Sequence, residues 1–577
     1  MANTPTPDFD VVVVGSGMSG GWVAKELCER GFKVCVVERG RKIDPVEDYT
    51  DMLDPWQMEN LNWIDGETKR QQHVQKDLYA FHTYTKQFYV NDLDHPYETA
   101  PGTRYKWRRG HHLGGRSIMW ARQSYRLSET DMLANGVDGY GTPWPLDYAE
   151  IAPWYDKAEV FAGVSGDNSD DLDILPHGGV FQPPHSMTAM EKHWKEQIEA
   201  KWPTRKMIIG RTANLTQPTE EQTALGRGKC QARDHCFRGC SFGAYFSSNS
   251  ATLPAADRTG NLTVVTDVAV HKLAYDAEAN RVTGIQGVNT ETMEPVEVTG
   301  RVVFLNASAI PSAMILLNSA TEDFPDGLAN SSRHVGHNLL GHVGGGYARG
   351  IHKGFKDSHH YGRRPNGIYV PRYRNHTEPG DGYLRGFGFQ GAAYKRGWGY
   401  KIGDEDAGIG AGFKDHIRSP DDWIMWIGSF GETMPRYENH VRLHPTKTDK
   451  WGFPVPVMDC RWTDNEYRAV EQAAVDAVEL MEASGATVFE SNLGGKVEDY
   501  ISAPGNGIHE MGTLRMGADP TESVLNKWNQ SHDIPNLFAT DGSFMTSSAC
   551  QNPSLTYMAF SARAANHAAD LMEAGAI

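Results

Sequence analysis

The chain has 577 residues, more than a single hydrophobic core accommodates, so two domains or one domain with a large embedded lobe are expected. Its formal charge of -17 comes from 73 acidic and 56 basic residues with no Lys/Arg block, which argues against nucleic acid and anionic membrane as main partners. Seven cysteines do not make a disulfide scaffold, and the longest apolar stretch, VVFLNASAIPSAMILL (302–317), is broken by Asn306, Ser308, Pro311 and Ser312, so a soluble globular protein is expected.

The first residues, MANTPTPDFDVVVVG, carry neither a basic stretch nor a cleavable apolar segment, and the Arg108-Arg109 and Arg363-Arg364 pairs lie far inside; no export signal is expected. DFDVVVVGSGMSGGWVAKELCERGFKVCVVERG (8–40) then gives an apolar run, a glycine turn, a helical pattern and a second apolar run ending in an acid, which is a βαβ unit. Gly15, Gly17 and Gly20 form G-x-G-x-x-G: a tight turn, close approach of a pyrophosphate, and close helix–strand packing, in that order. Glu38 stands where an acid binds the ribose of a dinucleotide, NAD or FAD.

Residues 50–100 are polar and aromatic with weak periodicity, and read as long excursions or a lid. The acidic run DNSDDLD (167–173) lacks the glycine and closing glutamate of a calcium loop and reads as a solvated turn. Residues 191–201 read as a helix. CQARDHCFRGC (230–240) gathers Cys230, Cys236 and Cys240; zinc would need a fourth ligand from elsewhere, a disulfide would leave one thiol over, and three thiolates match the ligand number of a [3Fe-4S] cluster or, with one further ligand, a [4Fe-4S] cluster. Cys28 and Cys35 read as buried small hydrophobes, and Cys460 and Cys550 have no local partners. Residues 261–289 alternate like successive strands with a turn at 276–280, 301–320 read as strand, small-residue turn and helix, and 471–485 as a helix ending at a glycine.

Four segments, RGHHLGGRSIMWARQSYR (109–126), RVVFLNASAIPSAMILLNSA (301–320), HEMGTLRMG (509–517) and LFATDGSFMTSSACQNPSLTYMAFSARAANH (537–567), together with the N-terminal unit, resemble the glucose-methanol-choline (GMC) oxidoreductases from Asp10 to His567. The resemblance implies an α/β fold in which a Rossmann-like FAD-binding domain (1–50, 100–130, 225–335 and 525–577) is interleaved with a substrate domain on an antiparallel sheet (51–99, 131–224 and 336–524). It implies that Gly15, Gly17, Gly20 and Glu38 hold the ADP half of FAD. Gly114, Gly115 and Ser117 would lie along the pyrophosphate and flavin edge, and Asp541 and Gly542 along the pyrophosphate and ribityl chain. Where pyranose oxidases tether flavin through a histidine, this chain has Met119, so FAD is expected to be non-covalent. His111 and His112 are expected to be packing and solvent-facing groups.

Alcohol oxidation by hydride transfer to flavin N5 needs a base for the hydroxyl proton, and imidazole suits that role near neutral pH. By resemblance His509 is that base and Asn552 donates to the substrate oxygen. Gln390 and Glu432 read equally as sugar contacts or structural polar groups. Among GMC proteins, bacterial FAD-dependent sugar dehydrogenases, glucoside 3-dehydrogenases in particular, look similar in carrying a three-cysteine loop at this point. That likeness implies Cys230, Cys236 and Cys240 as iron ligands of a [3Fe-4S] cluster and oxidation of a secondary hydroxyl, C3 of glucose or a glucoside. It further implies electron exit to a c-type cytochrome or similar acceptor, a small subunit bearing the export signal, and a periplasmic location. The rivals are an oxygen-using pyranose oxidase and a non-catalytic flavin electron-transfer module.

Overall fold

The computed structural model describes residues 7–577 except Asp171, 359–364, 397–400 and 405–406. Its first sheet is built on the β-branched run Phe9–Val14, whose last four valines are buried on both faces, as parallel strands covered by helices require. The parallel order runs Leu262–Val265, Val34–Val37, Phe9–Val14, Pro295–Leu305, Leu537–Phe538. Helix Met18–Glu29 connects the first pair and packs against helix Ser554–Glu573. Strand Pro295–Leu305 belongs to two pairings. Its second half lies parallel to Phe9–Val14, while its first half closes an antiparallel meander with Arg281–Asn289 and Val268–Asp276. The alternation read over 261–289 is this meander and the strand before it.

A second, antiparallel sheet runs Thr487–Ser491, Tyr347–His352, Trp423–Glu432, Phe387–Lys395, Ile368–Val370, Ile208–Ile209, with His342–Val343 paired to Trp423–Glu432. Strand alternation sorts its two faces. Phe387, Phe389, Ala393, Trp423, Met425 and Ile427 pack into one core cluster with helix Asp464–Ala483, while Gln390, Trp426 and Phe430 face cavities on the other side. The helix begins earlier than the 471–485 pattern because Thr463 and Glu466 form a capping box; Gly485, at φ +80°, follows its end. Helix Ala189–Lys201 closes this core, its buried Trp194 donating to the Leu480 carbonyl at 2.6 Å. Burying such a side chain contributes about 1.5–3 kcal/mol.

Residues 50–100 fold as turns, short 3-10 helices, one α-helix, Gly66–Gln71, and a short strand, Glu98–Thr99, parallel to Pro454–Asp459. They are not a detached lid: Phe81, Phe88 and Tyr89 share a small core with Ile43 and Ile118. The run 167–173, of which Asp171 lies outside the described residues, turns on the Asp167 carboxylate accepting from the Ser169 amide at 2.9 Å. No described helix is long and apolar enough to cross a membrane.

Candidate active site

The C-terminal ends of Phe9–Val14, Val34–Val37 and Pro295–Leu305 open onto a cavity of about 620 Å³, the place where open α/β sheets bind ligands. The three glycines of the first turn are needed for three different reasons. Gly15 sits at φ +95°, and a Cβ there would come 2.4 Å from the Asn306 carbonyl oxygen; at Gly20 it would come 1.8 Å from that of Gly15. A Cβ at Gly17 meets nothing within 4 Å, so this is the glycine that faces open space. The second turn abuts the first: a Cβ at Gly115, φ +49°, would lie 3.3 Å from the Gly17 Cα.

Side chains tie these turns together. Glu38, buried and pushed above the usual carboxylate range by desolvation, accepts from the Ser16 hydroxyl (2.5 Å) and the Gly40 amide (3.0 Å). Ser16 in turn accepts from the Gly114 amide at 2.8 Å. Ser117 donates to the Gly114 carbonyl (2.5 Å) and accepts from the Ser248 amide (3.0 Å). The Asp541 carboxylate accepts from the Ser308 amide, the Ser312 hydroxyl and the Ser543 amide at 2.6–2.9 Å, which fixes the terminal turn to helix Ala309–Asn318. Gly542 fits because a Cβ would come 2.3 Å from the Glu510 carbonyl oxygen. Glycine-lined and opened at a helix N-terminus, the cavity suits the diphosphate of a dinucleotide, and the residues expected to hold FAD all lie on or directly behind its wall.

At the other end of the cavity His509 and Asn552 come together with Gln390 and Phe430 of the second sheet. A bridge between Leu340 and Met511 clamps the histidine segment antiparallel to 340–342. Two residues along each strand from that bridge, His342 and His509 are therefore opposite one another, Nδ1 to Nδ1 at 2.7 Å. Desolvation first, with the Arg116 guanidinium beside it, holds His509 well below its ordinary pKa, so its ring is neutral and has one nitrogen free to accept a proton. Asn552 Oδ1 accepts from Gln390 Nε2 at 2.6 Å, which turns its own amide nitrogen away as a donor. Arg116, inside the second glycine turn, pairs with Glu510 at 2.7 Å beside the histidine.

Several expectations need correction or addition. Glu432 is not a sugar contact: it is buried on Arg385 at 2.6 Å and Arg372 at 3.6 Å. His112 packs, buried against Phe88, while His111 is half-buried and lines the cavity edge-on to His95. His342 and Arg116 were not visible as site residues, because neither the GHVGGG stretch nor the GGRS turn marks what lies opposite it in the fold.

Cys230, Cys236 and Cys240 line one pocket of about 30 Å³, and burial pushes the Cys236 thiol up to about 11. Asp51 anchors their loop, accepting from the Ser241 hydroxyl (2.6 Å) and pairing with Arg233 (2.5 Å). Ala232 and Asp234 are left-handed at φ +51° and +58°. The pocket has room for about one water, and no group of three or more His, Cys, Asp or Glu among the described residues is gathered closely enough for a metal ion. The donors have the number and chemistry of a cluster site, but in this arrangement they do not fit one. All seven cysteines are free thiols.

The chain is 27% identical to the 2-methyl-1,2-propanediol dehydrogenase of Mycolicibacterium austroafricanum, over 98% of this chain and 96% of that protein. It is 26% identical to the fructose dehydrogenase large subunit of Gluconobacter japonicus, over 97% and 98%. Its fold matches a formate oxidase of Aspergillus oryzae RIB40, studied for modification of its FAD, with a TM-score of 0.62, 16% identity and 99% and 100% coverage. Models of the GMC oxidoreductase N- and C-terminal regions match residues 10–344 and 435–561, and with the cavity, the glycine turns and the paired histidine and asparagine already placed, the chain belongs to the GMC oxidoreductase family.

Proposed function

We propose that the protein is an FAD-dependent sugar dehydrogenase that converts a secondary hydroxyl, C3 of glucose or a glucoside, to a ketone and passes the electrons to an acceptor other than NAD or oxygen. The observation that carries this reading is the convergence of a neutral, half-buried His509 and an oriented Asn552 on the wall of a glycine-lined cavity. When bound, FAD supplies the hydride acceptor. An alkoxide expels hydride far more readily than an alcohol, and His509 Nε2 is the group that takes the hydroxyl proton. Asn552 donates to the same oxygen and fixes the carbinol C–H. Gly17 lets the backbone approach the cofactor, Gly15, Gly20, Gly114 and Gly542 let neighbouring protein atoms close up behind that wall, and Gly115 sets the second turn against the first, with Glu38 at the ribose and Ser117 and Asp541 holding the turns in shape.

Sugar as substrate is supported by the fructose dehydrogenase relative, and C3 by the likeness of the cysteine loop to that of glucoside 3-dehydrogenases. We extend the reading to a [3Fe-4S] cluster on Cys230, Cys236 and Cys240, which is supported by the number and chemistry of the three thiols and would require their loop to adopt another arrangement than the one described above. A small subunit carrying the export signal, a c-type cytochrome acceptor and a periplasmic location complete the proposal; the word "large" in the relative's name supports a multi-subunit setting.

The test is anaerobic turnover of glucose and its glycosides with an artificial acceptor, with the oxidised carbon identified in the product. A 3-keto sugar is expected, with iron and acid-labile sulfide in the purified protein. His509→Ala should slow substrate-dependent flavin bleaching by about 10²–10⁴-fold at unchanged flavin content. Rapid oxygen-driven turnover with peroxide release and no iron makes the protein a pyranose-type oxidase instead. Flavin that no alcohol bleaches makes it a non-catalytic flavoprotein.

A further inference from the structure

We propose that His342 is a positioning residue that dictates which nitrogen of His509 carries hydrogen, and so makes Nε2 of His509 a proton acceptor; the inference rests on the reading of His509 as the base. A chain of hydrogen bonds runs from the 548–549 backbone through His342 to His509. His342 Nε2 lies 3.0 Å from the Ala549 carbonyl oxygen and 3.3 Å from that of Ser548. Carbonyl oxygens only accept, so this nitrogen bears the hydrogen. A neutral imidazole protonated there has its lone pair on Nδ1. That lone pair faces His509 Nδ1 at 2.7 Å, where a second lone pair would be repelled, so His509 bears its hydrogen on Nδ1 and keeps Nε2 free.

The alternative requires a doubly protonated His342, which would reverse the direction of the shared bond and leave hydrogen on His509 Nε2. His342 is 2% exposed and pushed down to about 4 by burial, so that state is absent at neutral pH. The surroundings reinforce the choice. The Phe430 ring packs on both histidines from the second sheet. On the side of the second glycine turn, the charged groups facing His509 are Arg116 and its partner Glu510, and Arg116 disfavours positive charge on the ring. Ala549 holds a left-handed φ of +48°, unusual for a residue with a Cβ, in the loop that presents its carbonyl to His342 and, three residues on, Asn552 to the cavity.

In the reaction the substrate O–H bond breaks and an Nε2–H bond forms on His509. The resulting imidazolium strengthens its Nδ1–H bond to His342, whose Nε2–H polarises toward the two carbonyls; no carboxylate takes part. The proton leaves from His509 to solvent after turnover.

The test compares His342→Phe, which keeps a ring but offers no acceptor, with His342→Asn, whose Oδ1 can take the place of Nδ1. With flavin content equal to the parent's, His342→Phe should reduce the bleaching rate by about 10²–10⁴-fold and move the acid limb of its pH profile to lower pH, because the imidazolium loses its acceptor. His342→Asn should recover to within about tenfold of the parent. Nitrogen-15 spectra of histidine-labelled oxidised parent protein, with His509→Ala for assignment, should show His509 protonated on Nδ1 and bare on Nε2. A parental rate with an unmoved limb in His342→Phe, or an Nε2-protonated His509, overturns the inference. If His342→Phe fails to hold flavin, the spectra of the parent decide. A His509→Ala protein that keeps its rate removes the base reading itself, an outcome separate from any result at His342.

Discussion

Asn552, just ahead of helix Ser554–Glu573, and Gln390 of the second sheet meet at the cavity wall, and in the proposed reaction that single amide pair sets how a substrate oxygen is received. Asn552 could otherwise present either end of its amide, and an oxygen aimed at the substrate would repel it. Gln390→Leu removes the donor that selects the orientation. Its kcat/KM should fall about 10–100-fold, the cost of roughly 1.5–3 kcal/mol for one misdirected buried hydrogen bond, while flavin content stays at the parental level. Steady-state kinetics beside the flavin absorbance decide it, and an unchanged kcat/KM removes Gln390 from the site. His509 and Asn552 could be read from the sequence because each sits in a short, locally spaced motif. Gln390 and Glu432 could not be told apart, since their partners, Asn552 and Arg385, lie 162 and 47 residues away and local pattern carries no trace of them.

Among the elements, the first turn and helix offer a sharp contrast. Gly20 is closed in by the Gly15 backbone, which cannot give way without moving the strand, whereas Gly17 faces the cavity. Gly20→Ala should therefore destabilise the fold by several kcal/mol, well above the roughly 1–3 kcal/mol typical of overpacking by a methyl in a yielding core. Gly17→Ala should leave the fold intact and weaken flavin retention alone. Thermal melts of flavin-stripped protein separate the two, and equal melting temperatures for both variants contradict this division of labour. The same unit was the clearest part of the sequence because strand, turn, helix and strand all lie within 33 residues and each is set by near neighbours. The second sheet was hardly legible beyond its existence. A strand as short as Ile208–Ile209 forms only because it finds Ile368–Val370 across more than 150 residues. Residues 50–100, which read as long excursions or a lid, gave no sign of the core they join for a related reason: their aromatic side chains have no periodicity of their own and pack because Ile43 and Ile118 are brought beneath them.

Over the whole molecule, burial of neutral histidines links stability to pH. His112 and His342 are both pushed down to about 4 by desolvation, against an ordinary value near 6.5 in the unfolded chain. The unfolded state therefore binds more protons below pH 6.5, and the stability these groups permit is complete above that pH and lost progressively down to about pH 4. At pH 5 each should have cost about 2 kcal/mol. Denaturant unfolding between pH 7 and pH 5 should show the decline, and His342→Phe should remove about half of this pair's share of the slope. A flat profile would mean that these rings titrate normally in the folded protein.

Strand Leu537–Phe538 pairs beside Pro295–Leu305 and leads directly into the turn at Asp541, so the cavity wall joins this turn to a glycine loop that precedes it by more than 500 residues. During synthesis the first strand and glycine turn therefore wait as an incomplete receptor until that late segment has emerged. Cofactor capture becomes a late event of folding, and a fragment that stops short of Leu537 should retain no flavin.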